Sequence, residues 1–498
     1  MSGQPTAPAA ASAPAATKFP LALILGIAAL VAVLALPTPA DLPVAGHRML
    51  AILVFAVIVW VTEAVSYEAS AIMITTLMAV LLGTAPSVKD PSVILGTSAA
   101  INMGLAGFAN SALALVAGAL FIAAAMTHTG LDRYIALHTL DKIGTSTTRI
   151  FVGAIVVTIV LSLLVPSATA RSAAIVPIMV GVIAAFGVSK RSNFAAGLMI
   201  VVAQATSIWN IGIQTAAAQN LLTVGFMEKI LGETVSWADW LIAGAPWAIL
   251  MSVILVIVTL KLLPPEAQSI AGGKEGVAQS LKELGPMTSP QRRLLIVSLA
   301  LLFLWATGGK LHRFDTTTIT YAGLVVLMLP RFGVMTWKEV QARIPWGTVI
   351  VFGIGISLGS ALLTTQAGQW LGQQVVVHTG LDAFGPWGIF AILAAFLIVI
   401  HLGFASATAL TSAMLPIMIS VLTALPGETP KLGMTMLLGF VVSYGFILPI
   451  NAPQNMVCLG TETFNARQFA KVGIVITIIG YATMLLFAAT YWKWLGWL

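Results

Sequence analysis

Long apolar stretches alternate with short polar ones along almost the whole chain. A helix needs about 20 apolar residues to cross a bilayer. Eleven stretches meet or approach that length: 19–37, 46–66, 68–84, 111–128, 194–226, 238–263, 293–309, 316–331, 345–366, 431–460 and 471–492. Two more, 150–187 and 387–425, are too long for one crossing, and small polar residues interrupt each near its middle. A re-entrant hairpin fits both, running to mid-membrane and returning on the same side. Irregular backbone at that depth is tolerated where protein surrounds it or it lines a cavity. Residues 1–18 are rich in Ala, Pro, Ser and Thr and read as a disordered tail. The first apolar run has Lys18 as its one preceding cation and long apolar runs after it, so it reads as a retained helix rather than a cleaved signal. Residues 264–292 are polar and read as a cytoplasmic linker. The pattern therefore predicts an all-α membrane protein with about 11 transmembrane helices. A first helix at 19–37 is followed by one repeat over 38–263 and a second over 293–498.

Composition agrees with that reading. Hydrophobic residues make up 59% of the chain and charged residues 8%, whereas soluble domains carry about 25% charge. The net charge of +7 is spread between apolar runs, with no basic patch or interleaved aromatics, so nucleic acid is not the implied partner. With the N-terminus cytoplasmic and both hairpins re-entrant, most of the 24 Lys and Arg fall on the cytoplasmic side. The C-terminus then lies outside, as in a bacterial-type inner-membrane protein. Counting either hairpin as two crossings would invert everything after it and spoil the bias. Cys458 is the only cysteine, which excludes an intrachain disulfide and a cysteine metal site. No HExxH, strand-linked GxGxxG or Walker sequence is present, and no nucleophile–base pair suggests an enzyme.

The two interrupted stretches share a motif. Ser167-Ala168-Thr169-Ala170-Arg171-Ser172-Ala173-Ala174-Ile175-Val176-Pro177-Ile178-Met179 returns as Ser406-Ala407-Thr408-Ala409-Leu410-Thr411-Ser412-Ala413-Met414-Leu415-Pro416-Ile417-Met418, with eight of 13 positions identical. Ala217-Ala218-Gln219-Asn220 is echoed by Ala452-Pro453-Gln454-Asn455 at a similar distance from its hairpin. One hairpin would enter from the cytoplasm and the other from outside, so the halves read as an inverted repeat, a common plan among secondary transporters. A third echo, His128-Thr129-Gly130-Leu131-Asp132 with His378-Thr379-Gly380-Leu381-Asp382, repeats at an offset of 250 rather than the hairpin's 239 and is set aside as accidental.

At these residues the sequence resembles the divalent anion/sodium symporter family, the sodium:sulfate symporter type within the ion transporter superfamily. The likeness runs from about Asp41 to Trp492. It includes Thr129-Gly130-Leu131-Asp132-Arg133, Trp237-Ala238-Asp239-Trp240 through Pro246, and Phe446-Ile447-Leu448-Pro449-Ile450-Asn451-Ala452-Pro453-Gln454-Asn455 followed by Lys471-Val472-Gly473. The resemblance implies eleven spans with two hairpins, a homodimer joined through a scaffold, and elevator-type transport of di- and tricarboxylates or sulfate. Coupling would be to sodium or to a counter-anion, with no other cofactor. Where the family's hairpin tips carry Ser-Asn-Thr, this chain has Ala168 and Ala407. Where the family has Gly-Thr-Pro-Pro-Asn, it has Ala216-Ala217-Ala218-Gln219-Asn220. The run Pro166 to Arg171 is similar to the exchanger branch.

The candidate anion site therefore comprises Ser167, Ala168, Thr169, Arg171, Gln219 and Asn220 from the first half. The second half supplies Ser406, Ala407, Thr408, Pro453, Gln454 and Asn455. A coupling cation would fall to Ser162, Ser167, Asn210, His401, Ser406 and Asn451, and no metal site is expected. An intramembrane arginine is a functional candidate by default, and its planar fork matches carboxylate or sulfate. The alternative for Arg171 is a structural cap on carbonyls of the neighbouring hairpin leg. Trp209 is either a stacking surface or an anchor. Asn210 and Gln214 read as repair of broken backbone. Every Asp and Glu falls in a loop or near a span end, with Glu63 and Glu68 the least exposed. A fixed cation without an intramembrane carboxylate favours anion exchange over sodium symport. A passive anion channel is the alternative of a different class.

Overall fold

The computed structural model describes residues 19–142, 146–185, 187–266, 279, 281–427 and 429–498. The tail expected over 1–18 and much of the linker expected over 264–292 lie outside these residues. Among the described residues every extended element is helical, with two isolated β-bridges besides. Eight described helices are long and apolar enough to cross a membrane, and six shorter apolar helices accompany them.

Both interrupted stretches are helical hairpins. The first consists of Thr147–Leu164 and Ala168–Ala185, the second of Pro386–His401 and Ala407–Ala424. The first turn follows from Pro166. A proline disfavours the helical region for the residue before it, and Val165 is extended at φ −114°, ψ 99°. The repeated Ser-Ala-Thr-Ala then acts as a helix start. The Ser167 hydroxyl accepts from Ala170 N and the Ser406 hydroxyl from Ala409 N, both at 3.3 Å, each satisfying an otherwise orphaned amide. Pro177 and Pro416 stand inside the second legs at matching motif positions.

Two expected spans are broken in the middle. Asn193–Gly212 resumes as Ala218–Phe226, and Lys431–Val441 resumes as Pro453–Leu459, each across a loop with one short 3-10 turn. Length alone therefore ranks two hairpin legs, Thr147–Leu164 and Ala407–Ala424, among the eight, and leaves the second broken span out. The segment Phe194 to Gly212 is buried throughout, so its polar side chains meet protein rather than lipid.

Each break is pressed by a glycine of a later helix, at the last turn before the loop in the first half and in the loop itself in the second. A Cβ at Gly244, in Trp237–Leu262, would stand 2.5 Å from the Ile211 carbonyl oxygen. A Cβ at Gly473, in Ala466–Ala489, would stand 1.8 Å from that of Phe446. Both carbonyls also accept a hydrogen bond, Ile211 from Trp240 Nε1 at 3.0 Å and Phe446 from Gln204 Nε2 at 2.8 Å. Gly244 and Gly473 belong to segments that carry the family resemblance.

Three helices were not legible as spans: the short Thr97–Leu105, and Leu131–Asp141 and Ala367–Thr379, which precede the hairpins. The third sequence echo has a local cause. Gly130 and Gly380 each end a helix in the left-handed conformation, at φ 70° and 62°, where glycine alone carries no steric cost. The two stops occupy different places in the element order, one before a hairpin-flanking helix and one after it.

Candidate functional site

Both hairpin turns and both broken loops meet at one cavity of about 470 Å³. Its wall includes Pro166 to Ala170 and Ala173, Ser406 to Thr408, Ala217 to Gln219 with Asn210, and Ala452 to Gln454. Leu120, Ala123, Ala124 and Thr127 add one side, and Arg343, Pro345 and Thr348 another. Four helices begin at this wall: Ala168–Ala185, Ala407–Ala424, Ala218–Phe226 and the short Pro453–Leu459. Helix starts carry unpaired N–H groups and the positive end of the helix dipole, which favour an anion. No carboxylate lines the cavity, and Arg343 is its one charged lining residue. The volume falls within the roughly 300–1,000 Å³ usual for small-molecule sites.

The Gln-Asn pairs divide their work. Gln219 and Gln454 line the cavity and are tied across the two halves. Gln219 Nε2 donates to Ser443 Oγ at 3.1 Å, and Gln454 Nε2 donates to Ser207 Oγ at 3.0 Å. Asn220 and Asn455 are fully buried, lie outside the lining, and serve the loops instead. Asn220 Nδ2 donates to the carbonyls of Asn210 at 2.6 Å and Ile213 at 3.0 Å, and Asn455 Nδ2 to that of Gly445 at 2.8 Å. The amide nitrogens of these two asparagines thus repair the backbone, because each loop's freed carbonyls need a donor. Ser207 and Ser443 were missed. Their signal was a hydroxyl 12 residues before Gln219 and 11 before Gln454, near-equivalent places in the two halves.

Arg171 is also placed behind the wall rather than on it. It is fully buried and does not line the cavity. One terminal nitrogen donates to Val165 O at 2.9 Å, in the hairpin turn, and to Ala216 O at 2.6 Å, in the broken loop. The other donates to Asn210 Oδ1. The guanidinium therefore takes the structural alternative in geometry, clasping hairpin to loop, while its charge stays just behind the cavity. In the second half Leu410 stands at the equivalent motif position, and the loop reaches back instead. Asn451 Nδ2 donates to the carbonyls of His401 and Phe404, each at 2.9 Å, and His401 Nε2 donates to Asn451 O at 3.3 Å.

The residues considered for a coupling cation each make hydrogen bonds within the protein. Ser162 Oγ donates within its own helix to Thr158 O at 2.7 Å. Asn210, His401 and Asn451 are occupied by the clasps, and Ser167 and Ser406 are helix caps on the cavity wall. Among the described residues no group of three His, Cys, Asp or Glu could hold a metal. Trp209 is buried and donates to Ser252 Oγ at 3.1 Å, away from the cavity. The acids also differ from expectation. Glu63 is exposed, and among the described acids Asp132 is the buried one, at 4% exposure. Burial pushes its carboxyl above the usual range, against the opposing hydrogen bonds from Arg133 N and Thr127 Oγ1.

A helical membrane fold whose broken helices and hairpin turns enclose a carboxylate-free cavity defines a solute transporter. The family model for the sodium:sulfate symporter transmembrane region matches residues 17–498, and the chain belongs to that family. A Cupriavidus necator protein called only "Membrane protein" is 72% identical over 93% of this chain and 90% of its own length. The sodium-dependent dicarboxylate transporter SdcS of Staphylococcus saprophyticus is 25% identical over 90% of this chain and 86% of its own. The L-tartrate/succinate antiporter of Escherichia coli K12 is 25% identical, covering 80% and 81%. Among solved structures, the YdaH transporter of Alcanivorax borkumensis aligns with a TM-score of 0.57 at 14% identity. It covers 87% of this chain and 98% of that one, a likeness of fold alone.

Proposed function

We propose that this chain is a secondary carrier of small dianions, with dicarboxylates, tricarboxylates and sulfate as the substrate classes, and that it works by anion exchange. The observation that carries the reading is the convergence of two hairpin turns and two broken loops on one cavity without a carboxylate. Serine caps, helix starts and the Gln219 and Gln454 amides supply neutral polarity there. The relatives named for dicarboxylate and for tartrate and succinate transport support the substrate class. Ala168 and Ala407 leave open space at both tips.

Exchange is favoured over sodium coupling by the clasp at Arg171. Val165 O, Ala216 O and Asn210 Oδ1 form an oxygen set of the kind that binds a cation between a hairpin and an unwound helix. Here a guanidinium that cannot leave occupies that place. An empty carrier would have to move that permanent charge without a counter-anion, which an anion-loaded carrier avoids.

The hairpins and broken helices form the moving element of an elevator-type cycle, and the halves form an inverted repeat. Matching element order and the crossed Gln–Ser pairs support this arrangement. The charge bias supports a cytoplasmic N-terminus, an outside C-terminus and a cavity that faces the cytoplasm through Thr127 and Arg343, both exposed. A homodimer and a bacterial inner-membrane location follow the family.

The test is exchange in proteoliposomes. Vesicles loaded with unlabelled succinate should take up labelled succinate faster than empty ones, at the same rate in sodium, potassium or choline. Absence of trans-stimulation by any di- or tricarboxylate or by sulfate would sink exchange. Uptake that requires sodium would establish the symport reading instead, and an ohmic current in planar bilayers would establish a channel.

A further inference from the structure

We propose that Arg343 is a one-sided capture residue: it binds the outer charge of the anion while the cavity faces Arg343's own side, and plays no part when the cavity faces the other. This rests on the carrier reading above. Arg343 is exposed and is the one charged side chain lining the cavity. No hydrogen bond or ion pair holds its guanidinium among the described residues, whereas the half-buried Arg293 is tied to the Arg331 carbonyl at 2.9 Å. A free cation at the mouth of a cavity that offers otherwise neutral contacts suits the second carboxylate of an anion whose first lies among the helix starts.

The turn that carries Arg343 is anchored outside the hairpins, on helix Ser111–Thr129, and the helix after it, Trp346–Thr364, meets the second hairpin along one side, where Ser412 Oγ donates to Val351 O at 3.4 Å. Arg343 ends the turn Gln341–Arg343, between Trp337–Val340 and Trp346–Thr364. Val340 and Ile344 are buried on either side of it. Trp346 Nε1 donates to Gln341 O at 3.1 Å and Trp337 Nε1 to Gln341 Oε1 at 2.9 Å. The Trp337 ring packs 4.7 Å from Phe121 of helix Ser111–Thr129. Movement of the hairpins with their anion would therefore carry the anion away from Arg343. The contact then exists on one face of the membrane only, which lowers the apparent KM there and leaves the other face unaffected.

The experiment uses the full chain in proteoliposomes of sorted orientation. The face bearing Arg343 is identified by reaction of Lys338→Cys, an exposed site on the same segment, with an impermeant maleimide. Succinate exchange is then titrated from each side. Arg343→Gln should raise the apparent KM on that face by about fivefold, the scale of one exposed charge pair, with the opposite face unchanged. Arg343→Lys should recover most of the loss. Added salt should weaken wild-type affinity on that face more than that of the Gln variant. Equal change on both faces, or none on either, overturns the proposal. Wild-type protein that shows no exchange at all would overturn the exchange reading instead, so the two failures are distinguishable.

Discussion

Replacing Arg171 with methionine should abolish anion exchange and lower the thermal stability of the purified protein, although Arg171 does not line the cavity. The guanidinium is fully buried and joins Val165 O in the hairpin turn, Ala216 O in the broken loop and the Asn210 amide. Methionine fills comparable space but supplies no donor. Each buried acceptor left unsatisfied costs about 1–3 kcal/mol, and two, Ala216 O and Asn210 Oδ1, would be left together, while Val165 O keeps the Ser167 amide at 2.8 Å. The turn and the loop both contribute to the cavity wall, so their separation removes the site as well as stability. Lysine keeps the charge but concentrates its donors on one nitrogen. It cannot span the positions that the two terminal nitrogens of Arg171 reach, so Arg171→Lys should fall between wild type and methionine. Uptake and detergent-phase melting measured together check this. Wild-type exchange and stability in Arg171→Met would show that the clasp is dispensable.

Gly473→Ala should be among the most damaging single methyl additions in the chain. The added Cβ would lie 1.8 Å from the Phe446 carbonyl oxygen and 2.7 Å from its carbon. Both obstructing atoms are backbone, in the loop that leads to Asn451, Gln454 and Asn455, so no rotamer change relieves them. Overpacking costs about 1–3 kcal/mol when side chains can shift, and here the cost should reach or exceed the upper end. Gly181→Ala is the matched control. It sits inside helix Ala168–Ala185 with nothing within 4 Å of the added carbon, and glycine inside a helix costs about 0.5–1 kcal/mol relative to alanine. Gly181→Ala should be neutral or stabilising, while Gly473→Ala should yield little folded protein in fluorescence-detected size exclusion. Equal yields for the two would refute the close approach.

The large elements were legible because bilayer depth imposes long apolar runs, and because small polar residues at the middle of two such runs have few other uses. The hairpin turns come from signals any chain would obey: proline at 166, and serine caps at 167 and 406. The finer assignment failed where neighbouring residues part company. Successive helical residues point about 100° apart, so Gln219 and Asn220 at one helix start take different directions, one to the cavity and one to its own loop. Sequence spacing marks such a pair as important and cannot say which member faces the solute. Arg171 shows the same limit. Its position near the tip was readable, but the loop carbonyls that draw its side chain backward lie 45 residues on, at Ala216. Ser207 and Ser443 escaped notice because their partners belong to the opposite half.

Protection of cysteines at the two hairpin tips by substrate tests the central claim most directly. Ala168 and Ala407 both line the cavity, and Cys458, the native thiol, is buried, so Ala168→Cys and Ala407→Cys can each be followed alone with a small charged thiol reagent. Succinate should slow modification at both positions, with one shared half-effective concentration, because a single bound anion shields both tips. Protection at one tip only, or at neither while exchange persists, would mean that the two hairpins do not hold the solute between them.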